Sequence, residues 1–151
     1  MTNPALPGIE IRPIVRCAQL EQLLDTCHLP ASDLASSQTL QLFGAFAGAD
    51  LAGAVGLEVY SSVALLRSLA VAPEQRHKGL GGRLVKFAEE HAEAQGVAAI
   101  YLLTTTAAPF FEKRGYRVAA RADAPDAIRA TAQFSGLCPA SSTFMVKRRT
   151  T

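Results

Sequence analysis

Strong charge of either sign is missing from the sequence: fifteen lysines and arginines stand against thirteen aspartates and glutamates, a formal net charge of +2. That is too little to coat nucleic acid or an anionic membrane, so any anionic partner has to be met by a local patch. Cysteine is scarce and odd in number. Cys17, Cys27 and Cys138 are widely spaced, which fits neither a disulfide framework nor paired metal ligands, and a reducing cytosol is the expected setting. His28, His77 and His91 share no spacing with carboxylates or cysteines that would bind zinc, so no metal is expected. No apolar run approaches the length of a bilayer span, Met1 to Glu10 has no basic stretch leading into an apolar one, and no solenoid-like repeat is present. A membrane protein and a repeat array are thereby set aside, and an untargeted, cytoplasmic chain is expected.

What is present suffices for one core. Apolar residues make up 49% and charged residues 19% of 151 residues, the balance of a single compact domain over residues 1–151. Ile9 to Ile14 reads as an edge strand, since Pro13 removes a ladder donor. Val15 to Cys27 places Leu20, Leu23, Leu24 and Cys27 at helical spacing before Leu29-Pro30 stops the helix. The polar stretch Ala31 to Thr39 offers at most a helical turn around Leu34. Leu40 to Ala47, Leu51 to Tyr60 and Val63 to Val71 form an antiparallel meander that turns at Ala49-Asp50 and Ser61-Ser62. The third of these strands is apolar on both faces except at Arg67 and Ser68, as a covered central strand should be.

A second helix runs to Gln95 with Leu80, Leu84, Phe87, Ala88 and Ala92 on one stripe and Gly96 closing it. A strand over Ala98 to Leu103, a short helix over Ala107 to Arg114, and strands over Tyr116 to Ala120 and Thr143 to Lys147 complete an α/β (α+β) order. Tyr60 and Tyr101 read as strand packing. The connection from Arg121 to Ser142 is longer than an ordinary loop, which marks it as functional or as a cover over a site.

The chemistry concentrates between the third meander strand and the second helix. Arg76-His77-Lys78-Gly79-Leu80-Gly81-Gly82 holds three glycines that let backbone N–H groups crowd around an anion at a helix N-terminus. No Lys-Ser or Lys-Thr follows the last glycine and the dinucleotide-fold spacing is missing, so the two common nucleotide loops drop out. Arg76, Lys78, Arg83 and Lys86 sit at the positive end of this helix and Glu89, Glu90 and Glu93 toward its negative end, the reverse of what the macrodipole favours. A bound polyanion would relieve that mismatch.

Leu66-Arg67-Ser68-Leu69-Ala70-Val71-Ala72-Pro73 followed by Arg76-x-x-Gly79-x-Gly81 resembles the acetyl-CoA-binding motif of the GNAT superfamily of N-acetyltransferases, whose pattern is Arg/Gln-x-x-Gly-x-Gly/Ala after a Leu-x-Val strand. Thr104-Thr105-Thr106-Ala107-x-x-Phe110-Phe111-Glu112-Lys113-x-Gly115-Tyr116 is similar to the superfamily's second cofactor motif, and the element order matches from about Ile9 to Lys147. The resemblance implies a mixed central sheet of six to seven strands flanked by about four helices. It also implies that the backbone of Leu69, Ala70 and Val71 pairs with the pantetheine arm of acetyl-CoA as an added strand. Amides of Arg76, His77, Lys78, Gly79, Leu80 and Gly81, with Gly82 beside them, would hold the pyrophosphate. Thr104, Phe110 and Lys113 would be further cofactor contacts, although Phe110 reads equally as core.

The mechanism so implied is direct attack of a neutral amine on the thioester, with a backbone N–H near Val71 polarising the tetrahedral intermediate and no acyl-enzyme. Three positions depart from the superfamily pattern. Leu65 stands where an acidic residue is common, Phe111 where the tyrosine acid is common, and Thr104 where asparagine is common. Glu58 on the preceding strand is the nearest candidate base, acting through water, or else an exposed strand-end glutamate without a catalytic role.

The Thr-Thr-x-Ala-x-x-Phe-Phe form is similar to the amino-acid-acetylating branch that includes N-acetylglutamate synthase domains, and points to a small amine or amino-acid acceptor. Arg67 could hold an acceptor carboxylate bidentately or form an ion pair at the sheet end; Thr105 and Arg121 are the other substrate candidates. The Arg121 to Ser142 segment also looks like the one in N-acetyltransferases of arsenic-resistance operons, which would admit arsenic- or phosphorus-bearing analogues. Cys138 reads as an ordinary apolar cysteine, without an activating partner. A homodimer is possible in this superfamily. The competing functions are a non-catalytic acyl-CoA-binding sensor and, last, a protein acetyltransferase whose open groove the late connection would obstruct.

Overall fold

A computed structural model describes residues 8–32, 34, 39–137 and 141–148. Cys138 lies outside the described residues. The described strands are β1 (Ile9–Ile14), β2 (Leu40–Ala47), β3 (Asp50–Tyr60), β4 (Val63–Val71), β5 (Ala99–Thr104), β6 (Arg117–Val118) and β7 (Thr143–Arg148). The described α-helices are α1 (Ala18–Thr26), α2 (Leu80–Ala94), α3 (Ala108–Glu112) and α4 (Asp126–Arg129), with 3-10 turns at Pro73–Gln75 and Arg121–Asp123 and a π turn at Gln133–Leu137. The strands make one mixed sheet in the order β1-β2-β3-β4-β5-β7-β6.

The meander is antiparallel throughout, as the alternation of its strands requires, but its first turn is Gly48-Ala49 rather than Ala49-Asp50. Gly48 adopts φ 64, a conformation glycine enters without the Cβ penalty. The expected strand Tyr116 to Ala120 contracts to Arg117–Val118, because Tyr116 turns inward: its ring stacks edge-on with Phe111 and its hydroxyl donates to Glu89 Oε2 at 2.9 Å. Burial and the charge of Glu89 push that hydroxyl's pKa far above its ordinary value.

Two helical layers clamp the sheet. α2 and α3 bury Leu80, Leu84, Ala88 and Phe111 against Val55, Leu57, Leu66 and Leu102 on one face. On the other, α1 sets Leu20 and Leu24 against Ala54 and Ala70, and α4 sets Ile128 against Leu65, Tyr101 and Phe144. Tyr101 stacks on Phe144 with ring centroids 5.4 Å apart, which makes it the packing residue its strand position implies.

Close approach of α2 to β3 depends on Gly53, where an added Cβ would stand 2.9 Å from Leu84 Cδ1 and 3.0 Å from the Ala70 carbonyl oxygen. Gly53→Ala is expected to cost about 1–3 kcal/mol by overpacking, read as a lower urea midpoint at unchanged m-value.

The feature that matters most for function is an interruption. β4 pairs in parallel with β5 only at Val63↔Ala99, Ala64↔Ile100 and Leu65↔Tyr101, although β4 continues to Val71 and β5 to Thr104. Beyond those pairs the two central strands part.

Candidate active site

A cleft of about 690 Å³ fills the parting between β4 and β5. Its walls come from Cys27 to Pro30 at the end of α1, Leu66 to Val71 of β4, Arg76, Leu102 to Ala107 with Phe111, and Gln133 with Ser142. The long late connection therefore does border the site.

A bulge shapes the β4 wall. Ala54 pairs with Ala70 and Gly56 with Arg67, so Ser68 and Leu69 together oppose the single Val55. Ser68 takes φ 57 at the bulge. Gly56 gives Arg67 room, since a Cβ there would lie 3.3 Å from Arg67 Cγ.

Arg67 and Glu58 form one unit. Arg67 Nη1 donates to Glu58 Oε2 at 2.9 Å and Arg67 Nε to Ser68 Oγ at 3.0 Å, with the two ion-paired side chains only 1% and 4% exposed. The other Glu58 oxygen, Oε1, accepts from the Tyr60 hydroxyl. Burial, then the hydrogen bond to Glu58, raises the pKa of that hydroxyl. Glu58 is thus neither an exposed strand-end glutamate nor a wall of the cleft: both its oxygens are engaged on the face beneath Arg67. A carboxylate held in this way orients Arg67, and its place behind that side chain weighs against the expectation that Glu58 takes a proton from a substrate in the cleft. Arg67 makes the ion pair that was one of the two readings of it, and it also lines the cleft.

At the other end lies the glycine-rich loop. Gly79 caps α2 with φ 85 and no side-chain hydrogen bond, and the first intrahelical bond runs from Arg83 N–H to the Gly79 carbonyl. The N–H groups of Leu80, Gly81 and Gly82 precede that bond and have no intrahelical acceptor. The first turn contains no acidic residue. His77, at φ 65, and Lys78 are exposed in the loop before the helix.

The Arg76 amide is an exception among the expected anion ligands, since it donates to the Pro73 carbonyl at 3.3 Å. The Arg76 side chain folds back over the cleft, Nε donating to the Val71 carbonyl at 3.1 Å and Nη2 to Cys27 Sγ at 3.5 Å. Cys27 Sγ in turn donates to the same carbonyl at 3.7 Å.

α3 stands against this loop. A Cβ on Gly81 would lie 3.3 Å from Phe110 Cζ, so Phe110 is a packing neighbour of the α2 N-terminus, and the Arg114 guanidinium covers its ring at 3.7 Å. Lys113 is exposed at the end of α3, beside a shallow hollow lined by Gly82, Lys86, Arg114 and Lys147. Thr104 Oγ1 accepts from the Ala107 N–H at 3.0 Å, ordering the entry to α3 while its residue lines the cleft next to exposed Thr105. Phe111, buried among aromatic rings at the cleft wall, has no proton to give.

The structure gives Arg121 a different task from the substrate contact expected of it. Its Nη2 donates to the Ser142 carbonyl at 2.8 Å and its guanidinium lies over Phe134, so it ties the two ends of the late connection together and does not line the cleft. Residues that reading the sequence missed are Cys27, His28, Gln133 and Ser142. Only the tertiary fold assembles them, and no local spacing marks them. His91, by contrast, packs its ring 4.7 Å from that of Phe43. No cluster of metal-binding side chains occurs among the described residues, and no helix among them is long and apolar enough to cross a membrane.

Comparison with known proteins agrees with this architecture. A stretch is 45% identical over 51 residues to an amino-acid acetyltransferase of Pseudomonas fluorescens, covering 34% of this chain and 12% of that protein. The chain thus spans about an eighth of the length of this curated relative. Among solved structures, N-acetylglutamate synthase from Neisseria gonorrhoeae, complexed with coenzyme A and N-acetyl-glutamate, superposes with a TM-score of 0.76 at 19% identity over 95% of this chain and 35% of that one. A Mycobacterium tuberculosis protein in complex with CoA gives 0.75 at 19% identity over 93% of this chain and 99% of that one. At such identities the likeness concerns the fold. The family model of the GNAT acetyltransferases matches residues 10–116, well over half of the sequence, and the chain belongs to the acetyltransferase (GNAT) family.

Proposed function

We infer that the protein transfers the acetyl group of acetyl-CoA to the amine of a small, amino-acid-like acceptor by direct attack. The observation that carries this reading is the cleft itself: two parted strands leave Leu69, Ala70 and Val71 along a cleft whose Val71 end adjoins a glycine-rich helix start without a side-chain cap. Unpaired backbone at such an edge takes an extended, amide-bearing arm as it would take a strand. The N–H groups of Leu80, Gly81 and Gly82, with the exposed loop His77-Lys78-Gly79, suit a diphosphate, and the α2 dipole favours it there. Arg76 has to leave the Val71 carbonyl for the arm to pair at that point, which frees its guanidinium for the diphosphate. Phe110 shapes the loop from below, Thr104 borders the arm, and Lys113 with Lys86 adds positive charge alongside.

Acetyl-CoA, when bound, supplies an activated acyl carbon and a thiolate leaving group. The protein's part is to position the amine, to offer a peptide N–H near Val71 to the developing oxyanion, and to exclude water. Phe111 leaves the departing sulfur without a side-chain acid, which is tolerable because thiols ionise near pH 8.5, at about pKa 8.5.

Arg67, fixed by Glu58 and Ser68, and Thr105 and Ser142 across the cleft suit an acceptor carrying a carboxylate. The likeness of the late connection to that of arsenic-resistance enzymes adds arsenic- and phosphorus-bearing amino acids to the range. A reducing cytosol fits Cys17 and Cys27 as free thiols. A homodimer is read directly by light scattering on the purified chain.

The test is an acceptor panel with acetyl-CoA in which thiol release is followed. Release with amino acids and little with the matching decarboxylated amines is expected. Cofactor binding without release for any acceptor would favour an acyl-CoA sensor.

A further inference from the structure

With Glu58 bound to Arg67 and Tyr60, the ammonium of the acceptor needs another group to take its proton. The cleft wall contains no aspartate or glutamate among the described residues. Its side chains of the kinds that serve as general bases are the thiol of Cys27 and the imidazole of His28. Cys27 uses its S–H toward the Val71 carbonyl and receives Arg76 on the sulfur. His28 remains.

The backbone at His28 adds a second, independent observation. α1 ends in a Schellman arrangement: the Leu29 N–H donates to the Leu24 carbonyl at 2.9 Å and the His28 N–H to the Asp25 carbonyl at 3.0 Å. His28 occupies the left-handed position of that motif, with φ 59, where glycine is the favoured residue. Leu29 completes the motif by packing with the α1 core cluster. The chain therefore forgoes the residue that suits the turn best and carries an imidazole there, at the rim of the cleft. The side chain is exposed, so a proton taken up inside can pass to bulk water.

The acceptor has one face from which to approach. α2 and α3 cover the sheet on the Leu66 side, whereas the cleft is bordered on the opposite side by the end of α1, Arg67 and the late connection. His28 and Arg67 belong to that same side.

We propose that His28 is the proton acceptor of the acetyl transfer; this rests on the function proposed above. The neutral imidazole takes one proton from the acceptor ammonium. The amine lone pair then forms the N–C bond at the thioester carbon, the C–S bond breaks with its electron pair going to sulfur, and the second amine proton neutralises the thiolate. The imidazolium returns its proton to solvent. The charged and titratable groups around this part of the cleft are Asp25 and Cys27 on the same helix end, Arg67 from β4 with Glu58 behind it, and Arg76 from the loop.

The test compares wild type with His28→Gly and His28→Asn, both suited to a positive φ. Expected are unchanged acetyl-CoA binding, a melting temperature no lower than wild type for His28→Gly, and kcat lower by about 10²–10⁴-fold. The acidic limb of the kcat/KM profile should flatten, and added imidazole should restore turnover to His28→Gly. Wild-type rates and an unaltered acidic limb in both variants, or lost turnover that imidazole leaves unrestored, would overturn the assignment of His28. Failure of wild type to release thiol with any amine would instead overturn the transferase reading itself.

Discussion

Glu58→Ala is expected to lower folding stability by about 3–5 kcal/mol, the scale for removing one partner of a buried ion pair. The side chain left behind is Arg67, 1% exposed in the intact pair, on a central strand that α1 and α4 cover. For a domain of this size the loss corresponds to a melting point lower by roughly 6–20 °C. Replacing both partners, Glu58→Leu with Arg67→Leu, should restore much of the stability, because no unpaired charge then remains. The measurement is a double-mutant cycle on urea midpoints. An unchanged midpoint in Glu58→Ala, accompanied by lost turnover, would return Glu58 to the role of a base.

Gly81→Leu is expected to weaken coenzyme A binding by roughly 10²–10⁴-fold. Two effects combine. The new side chain starts 3.3 Å from Phe110 and grows into it, shifting the α2 N-terminus against α3. That displacement spoils the aim of at least two charge-assisted N–H donors, at about 1.5–3 kcal/mol each, and every 1.4 kcal/mol is about tenfold in affinity. Gly79→Ala addresses the same site differently: no atom lies within 4 Å of the added methyl, but φ 85 is strained for alanine. It should therefore cost stability more than affinity. Calorimetric titration of coenzyme A into the folded variants separates the two, and equal affinity for Gly81→Leu and wild type would remove the diphosphate from this helix end.

Much of the fold was legible because its signals are local. Alternation in Leu40–Ala47 and Val63–Val71, the 3.6-residue stripe of Leu80, Leu84, Ala88 and Ala92, and glycine punctuation at Gly96 and Gly115 need no partner to be read. The glycine-rich start of α2 was legible for the same reason. What escaped depends on distant segments meeting. Glu58 and Arg67 become a pair only through the β3–β4 register, and a lone arginine on an apolar strand does not name its counterion. Arg121 looked free for a ligand until the fold brought the Ser142 carbonyl to it. In the sequence His28 registered only as a histidine without zinc spacing, because its left-handed backbone angle and its place in the cleft wall depend on segments distant along the chain.

The short seam between β4 and β5 has a consequence for the life of the protein. With three residue pairs joining these strands, the centre of the sheet is held together by its ladder only weakly along the cleft. A donor resting there ties both borders, and at a hundredfold excess over its dissociation constant it adds about 2.7 kcal/mol to the folded state by mass action. Resistance to proteolysis would then rise and fall with the supply of the donor, so that the molecule persists longest when the donor is abundant.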